Sequence, residues 1–246
     1  MDPDPTVLML AGDWHGNQTW VERVIAHAVT RNVDTILQLG DFGYWLDDLR
    51  TDEYLATIDT LLAASGMRLF WLDGNHEDHT RVADWADATR HPNVRYLRRG
   101  FRWQWWGKTW MSVGGAMSVD KRCRIEGESW WPQEELTDDD VAYAQRAGGV
   151  DVIVSHDCPR GVDIPGVGPD TKGGVRGNWP PDILLEAQQH REKLATICRA
   201  TTPDWLFHGH YHIAYGSNFD ATAVIGLADD HASMADHTLI IGSAEL

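Results

Sequence analysis

The sequence predicts an α/β fold of two packed β-sheets flanked by helices, and three observations carry that prediction. The first third alternates short apolar runs with helical stretches in β-α-β-α-β order, the pattern of a parallel sheet with right-handed crossovers. The middle changes to short, tryptophan-rich β segments joined by a hairpin turn, which belong to a second sheet. Five strand candidates stop at clusters of Asp, Asn or His, and glycine adjoins four of those clusters. The C-terminal ends of parallel strands form one edge of a sheet, where ligands bind in open α/β folds.

Taken in order, Thr6–Ala11 is an apolar strand ending at Gly12-Asp13-Trp14-His15-Gly16, followed by a helix over 18–30. Thr35–Leu39 is a strand ending at Gly40-Asp41, and a helix follows over 52–64. Arg68–Leu72 ends at Gly74-Asn75-His76-Glu77. Val94–Leu97, Phe101–Trp106 and Thr109–Val113 are short β segments, with Trp106-Gly107-Lys108 as a turn. Asp138–Gln145 is a helix whose preceding Thr137 can cap it, with Asp140 in the reciprocal position of a capping box. Asp151–Val154 is a strand ending at Ser155-His156-Asp157. Residues 158–181, rich in Gly and Pro, read as a long loop over one face. A helix over 183–200 leads to the strand Trp205–Phe207, which ends at His208-Gly209-His210-Tyr211-His212. Ala223–Leu227 and Thr238–Ile241 are the last strands expected.

Bulk properties narrow the classes. The 246 residues suit a single domain over 1–246 with a large core. Composition is 43% hydrophobic and 24% charged, ordinary for a globular protein. No stretch approaches the ~20 apolar residues of a membrane span, and the apolar run near the start is too short for a signal segment. Cys123, Cys158 and Cys198 are widely spaced and form no CxxC pair, which suits reduced thiols and a cytoplasmic location. The formal net charge of −16 weighs against tight binding of duplex DNA. A small phosphorylated substrate stays compatible, because metal ions can make a site positive inside an acidic protein.

The residues at the strand ends carry the chemistry. Asp13, His15, Asp41, Asn75, His156, His210 and His212 offer carboxylate and amide oxygens and imidazole nitrogens, with no thiolate. That donor set favours manganese, with iron, zinc, nickel or cobalt as alternatives. Seven donors exceed what one tetrahedral ion takes. They suit two divalent ions about 3.5–4 Å apart that grip phosphoryl oxygens and acidify a bridging water. Singly, each piece has a plainer account: Gly40-Asp41 is ordinary turn chemistry and His156 alone is an ordinary core histidine. Gly-Asn-His-Glu and His-Gly-His-Tyr-His are more specific, and the ordered set exceeds coincidence.

Together, Gly12-Asp13-x-His15, Gly40-Asp41, Gly74-Asn75-His76-Glu77, His156 and Gly209-His210-x-His212 resemble the calcineurin-like metallophosphoesterase signature, over residues 12–212. The resemblance implies an αββα four-layer sandwich with a two-metal site at one edge. It also implies a division of ligands: Asp13, His15 and His212 on one ion, Asn75, His156 and His210 on the other, and Asp41 between them. It implies that His76 stabilises or protonates the leaving oxygen, and gives Asp13 the further task of orienting His76. Independently, an alkoxide leaving at neutral pH needs a proton, and histidine is the side chain poised to supply one. A second stretch is similar to a subset of bacterial and phage members: Gly114-Gly115-Ala116-Met117-Ser118, Asp120, Arg124, Gly127, then Ser129-Trp130-Trp131-Pro132 and Glu134-Glu135.

The surroundings give two competing accounts. Eight basic residues between 95 and 124 face only Asp120 in acidic charge, and Trp103, Trp105, Trp106 and Trp110 interleave with them. They form either a phosphate-steering patch with aromatic faces for a base, or a hairpin that buries its tryptophans and leaves its cationic tips in solvent. Arg124 is the best single substrate contact. Trp14 and Trp45 are candidate pocket walls or core residues. Lys172 and Arg176 sit on the glycine-rich loop. The expected function is phosphoester hydrolysis, with a phosphodiester such as a cyclic nucleotide ahead of monoesters. A metal-dependent nuclease is the enzymatic alternative, which digestion of single- and double-stranded DNA and RNA with Mn²⁺ distinguishes. A catalytically silent scaffold of the same fold is the other alternative, disfavoured because every ligand position and His76 are intact.

Overall fold

Alternation along the first strands decides the layering. In β1 (Leu8–Ala11), Leu8 and Leu10 point to one side of the sheet while Met9 and Ala11 point to the other, and all four are buried. A strand buried on both faces needs a cover on each, and the chain provides helices on one face and a second sheet on the other. This computed structural model describes residues 3–45, 48–83, 90–168 and 179–246.

The first sheet has the order β11-β1-β2-β3-β4. Its strands β1, β2 (Thr35–Gln38), β3 (Arg68–Trp71) and β4 (Val94–Tyr96) run parallel, and β11 (Thr238–Ile241) returns antiparallel beside β1. Helices α1 (Gln18–Thr30) and α2 (Asp48–Ser65) connect the parallel strands, and the short α3 (His79–Ala83) follows β3. The second sheet has the order β5-β6-β7-β8-β10-β9. Here β6 (Lys108–Val113), β7 (Val152–Ser155), β8 (Trp205–His208) and β10 (Thr222–Gly226) are parallel, while β5 (Arg102–Trp105) and β9 (Tyr215–Phe219) are antiparallel edges. Helices α4 (Asp138–Gln145) and α5 (Pro181–Thr201) pack on each other, and α6 (Met234–His237) precedes β11. Three buried clusters separate the layers. Val21, Val24, Leu55 and Ile58 meet Met9 and Ile36 outside the first sheet. Leu10, Leu37, Phe70, Trp110, Val152 and Phe207 fill the space between the sheets. Leu194 and Ile197 of α5 meet Ile153 and Leu206 outside the second. The architecture is the αββα sandwich.

Local chemistry explains most elements. Thr137 and Asp140 form the expected capping box at α4. The β5–β6 turn places Trp106 (φ 55°) and Gly107 (φ 71°) both in the left-handed region, as a tight hairpin turn demands. The tryptophans of that hairpin are core: Trp103, Trp105 and Trp110 are buried between the sheets, so the hairpin follows the burial account. Strand β9 has no counterpart in the sequence reading. Its residues Tyr-Gly-Ser-Asn-Phe lack an apolar alternation because the strand lies at an edge and takes its order from backbone pairing with β10. Residues Val162 and Ile164 of the expected loop are buried with the α5 cluster, so this part of the loop is packed. Lys172 and Arg176 lie outside the described residues. No described helix is long and apolar enough to cross a membrane.

Trp110 touches both sheets' side chains and is fully buried, so Trp110→Ala is expected to cost about 3–5 kcal/mol of stability. Urea unfolding followed by circular dichroism checks this; a loss under about 1 kcal/mol contradicts the inter-sheet role.

Candidate metal centre

The C-terminal ends of β1, β2 and β3 from one sheet meet those of β7, β8 and β10 from the other at a single edge of the sandwich. Asp13, Asp41, Asn75, His156, His210 and His212 all lie just beyond these ends. Four of the ligand candidates take the left-handed backbone region that side chains usually avoid: His15 (φ 46°), Asp41 (52°), His210 (69°) and His212 (56°). Such conformations cost energy and persist where surroundings enforce them, commonly at functional sites. Two glycines make the close packing feasible. A Cβ on Gly74 would strike the Asp41 carboxylate, and one on Gly209 would strike that of Asp13.

Asp13, His15, Asp41 and His212 each bring one donor atom to within 4.8 Å of one another. Asp13 and Asp41 form the floor, at 0% and 1% exposure, while the His15 and His212 side chains, at 22% and 28%, stand at the mouth. The backbone fixes the floor: the N–H groups of Trp14 and His15 donate to the Asp41 carbonyl at 3.0 and 2.8 Å, and the His210 N–H donates to both Asp13 oxygens at 3.1 Å. Asp41 Oδ2 lies 3.7 Å from His15 Nε2, 3.3 Å from His156 Nε2 and 4.0 Å from His76 Nε2. One carboxylate oxygen thus faces groups on both sides of the site. Beyond it, Asn75 Oδ1 lies 3.1 Å from His156 Nε2, and the His210 ring sits 5.0 Å from that of His156.

Supporting residues are partly new. Asp230 Oδ1 lies 2.8 Å from His15 Nδ1 and Asp229 Oδ2 lies 3.1 Å from His212 Nδ1, while Asn17 donates to Asp230 at 2.7 Å. Each carboxylate turns the other ring nitrogen, Nε2, toward the cluster and makes it a better donor. These two aspartates follow β10, a strand end to which the sequence rule had not been extended. On the other side, Asn75 Nδ2 donates to Ser118 Oγ at 2.9 Å, and Ser118 donates from Oγ and from its backbone to the buried Glu134 at 2.7 and 2.6 Å. Because Nδ2 is held there, Asn75 Oδ1 points toward His156. The Gly-Gly-Ala-Met-Ser and Trp-Trp-Pro-Gln-Glu blocks thereby gain a physical role. Glu77 accepts from the Gly74 and Gly43 backbones and ties the β2 and β3 loops together.

The electrostatics are those of a buried anionic site. Burial alone would push the Asp13 carboxyl up; His156 and His212 more than offset it and hold it below the usual carboxylate range. Burial likewise opposes ionisation of Asp41, and His156, His76 and His15 hold it well below that range. In return, although burial pushes both imidazoles down, Asp230 and Asp41 raise His15 to about 9, and Asp41 and Asp13 raise His156 to about 10. The groups that hold the two carboxylates ionised are imidazoles.

Two expectations need correction. Trp14 does not wall the site: it is fully buried in the α1 cluster, and its indole N–H donates to His237 Nε2 at 3.1 Å. The chain has left β1 by this point, and it turns the indole into the cluster of Met9 and Ala11 beneath α1. Asp13 is also not the group that orients His76. The His76 backbone N–H donates to Asp41 Oδ1 at 2.9 Å, and its ring nitrogens lie 3.0 and 2.8 Å from the Arg124 guanidinium, whereas Asp13 is occupied by His210 and His212. Arg124 lies against His76. Its basic neighbours are elsewhere. Arg99 is buried on Asp73, Arg102 donates to the carbonyls of Ala144, Gly148 and Gly149, and Lys108 and Arg122 pair with Asp204 and Asp182. The basic run is therefore no continuous patch.

The sequence model of one protein family, described as calcineurin-like phosphoesterase, matches residues 6–214. The chain belongs to that family. Its members hydrolyse phosphoesters and use divalent metal ions. The fold is similar to TT1561 of Thermus thermophilus, with 12% identity and a TM-score of 0.60 over 97% of this chain and 99% of that one. It is similar to a phosphopantetheinyl hydrolase of Mycobacterium tuberculosis, with 13% identity and a TM-score of 0.58 over 96% of each chain. It is also similar to a dimetal phosphatase of Danio rerio, with 11% identity and a TM-score of 0.56 over 92% of this chain and 88% of that one. At such identities the likeness is one of fold. No curated protein matches the sequence. The donor set fits divalent cations: two buried carboxylates share the site with imidazole nitrogens that face them, and cations there would relieve the mutual repulsion of Asp13 and Asp41.

Two outcomes follow from this geometry. Ser118→Ala frees the Asn75 amide, so Mn²⁺ affinity should fall about 10–100-fold with the fold intact, as read by titration calorimetry. Second, protonated His15 and His156 stabilise the metal-free protein fully below their ordinary 6.5, and that contribution fades as pH rises through about 9 and 10. Metal requires the neutral rings, so Mn²⁺ uptake near pH ~8 should release protons. Binding heats that do not change between buffers of different ionisation enthalpy contradict this.

Proposed function

We propose that the chain is a dinuclear-metal phosphoesterase acting on a small phosphorylated substrate, with phosphodiesters, including cyclic nucleotides, ahead of monoesters. The observation that carries this reading is Asp41 Oδ2, which faces His15 on one side and His156 on the other. In this reading Asp13, His15 and His212 hold one ion, Asn75, His156 and His210 hold the other, and Asp41 is shared. When bound, two such ions, manganese first, supply positive charge to phosphoryl oxygens and acidify water between them.

The chain's own residues do the rest. Asp229 and Asp230 fix the rings of His212 and His15, and Ser118 with Glu134 fixes the Asn75 carboxamide. Water forms the new P–O bond, the bond to the alcohol breaks, and the departing oxygen takes a proton. His76 stands at the mouth, with a third of its side chain exposed, and Nε2 turned toward Asp41. Burial and the Arg124 cation outweigh the pull of Asp41 and keep its pKa below the ordinary histidine value. As a neutral imidazole it has one N–H to give to the leaving oxygen and one lone pair that accepts from Arg124. Three unpaired cysteines, two of them buried, suit a cytoplasmic location. The inter-sheet cluster draws on both sheets, which supports one domain over 1–246.

Chelation should abolish hydrolysis of aryl phosphodiesters and Mn²⁺ should restore it. His76→Ala should retain its metal by elemental analysis yet lose about 10²–10⁴-fold in turnover, most for poor leaving groups. His156→Ala should lose metal. Equal metal loss in both variants contradicts these roles, and inactivity on every diester beside good monoester turnover contradicts the diester preference.

A further inference from the structure

Next to His76 lies a hollow of about 170 Å³ lined by Trp45, His76, Arg124, Glu128, Ser129 and Trp131. We propose that this hollow seats the leaving alcohol of the ester, and that the alcohol it takes carries a neutral planar ring, as a nucleoside does. The inference rests on the phosphoesterase reading and deepens it.

Position assigns the hollow to the leaving group. His76 lines the hollow and also borders the carboxylate floor: Nε2 is 4.0 Å from Asp41, and the Arg124 guanidinium lies against the same ring. A phosphoryl group over Asp41 that places its departing oxygen at His76 sends the rest of that alcohol past the imidazole into the hollow. Size limits the occupant to about one ring, since sites for drug-sized ligands run to roughly 300 Å³ and more. Shape and surface suit a flat one. The Trp45 ring is centred 5.8 Å from His76 and tilted 52° to it, and the buried Trp131 completes the lining. Bases stack on such faces.

Charge excludes a second phosphate there. Arg124 is committed, to Asp120 Oδ1 at 2.9 Å and to His76. The Ser129 hydroxyl accepts from the Ile125 N–H. The charge left at the rim is the exposed Glu128 carboxylate, which repels an anion and accepts from a ring N–H or amine. Nothing in the phosphoryl chemistry requires Trp45, Glu128 or Trp131, so these residues set leaving-group preference.

The test compares adenosine 5′-phosphate with ribose 5-phosphate, and the methyl diesters of each, with Mn²⁺. Cleavage at the 5′ oxygen releases adenosine from one member and ribose from the other, each through a primary hydroxyl, so the ratio of kcat/KM for that cleavage, with the released nucleoside or sugar quantified, isolates the ring. The wild-type ratio should be about tenfold or greater in at least one pair. In Trp45→Ala it should fall toward one, with folding verified by circular dichroism. Turnover of both substrates at a ratio near one in both pairs overturns the subsite while leaving the phosphoesterase reading intact. A ratio unchanged in Trp45→Ala does the same. Absence of Mn²⁺-dependent hydrolysis of any ester overturns both.

Discussion

Asp13 and Asp41 are two carboxylates buried side by side, and the surrounding architecture answers that fact. Neither could stay ionised alone at such burial, because a charge removed from water needs compensation nearby. The compensation comes from imidazoles delivered by both sheets, with His15 from β1, His76 from β3, His156 from β7 and His212 from β8. A set of neutralisable rings around fixed negative charge can exchange protons for metal ions. Lysine or arginine in the same places would neutralise the site permanently.

Delivering those rings requires the sandwich. Each sheet contributes parallel strands whose C-terminal ends point to one edge, and packing the sheets face to face brings the two edges together. The layer of Leu10, Leu37, Trp110, Val154 and Phe207 between them sets the distance. At the seam, ordinary strand geometry no longer suffices. His15, Asp41, His210 and His212 adopt left-handed backbone conformations, and Gly74 and Gly209 let the carboxylates approach without collision. The backbone hydrogen bonds from His210 to Asp13 and from His76 to Asp41 run between different strand ends, so each loop helps to hold another.

Charge in this molecule serves mostly structure. The basic run between 95 and 124 would suggest an electropositive surface, yet the largely buried Arg99 is held by Asp73 and four backbone or carboxylate oxygens near α4. Arg102 braces the end of α4 through carbonyls. Arg124 differs because Asp120 holds it against a histidine at the mouth of the site. A cation's neighbours, more than its density along the chain, decide whether it meets a ligand.

The sequence by itself determined the layers, the family and the side chains that gather at the strand ends. Apolar strands buried on both faces announce themselves through continuous hydrophobic runs, and a polar residue placed just after such a run has one place to go. The tertiary structure alone decided the supporting contacts. Asp230 reaches His15 across 215 residues, and Ser118 reaches Asn75 across 43. Residue types state which bonds a side chain can make, and only packing states which partner stands within reach. The same reason explains Trp14, a tryptophan inside a ligand block that the turn after β1 packs into the α1 cluster. It also explains β9, an edge strand ordered by pairing with β10 more than by its own side chains.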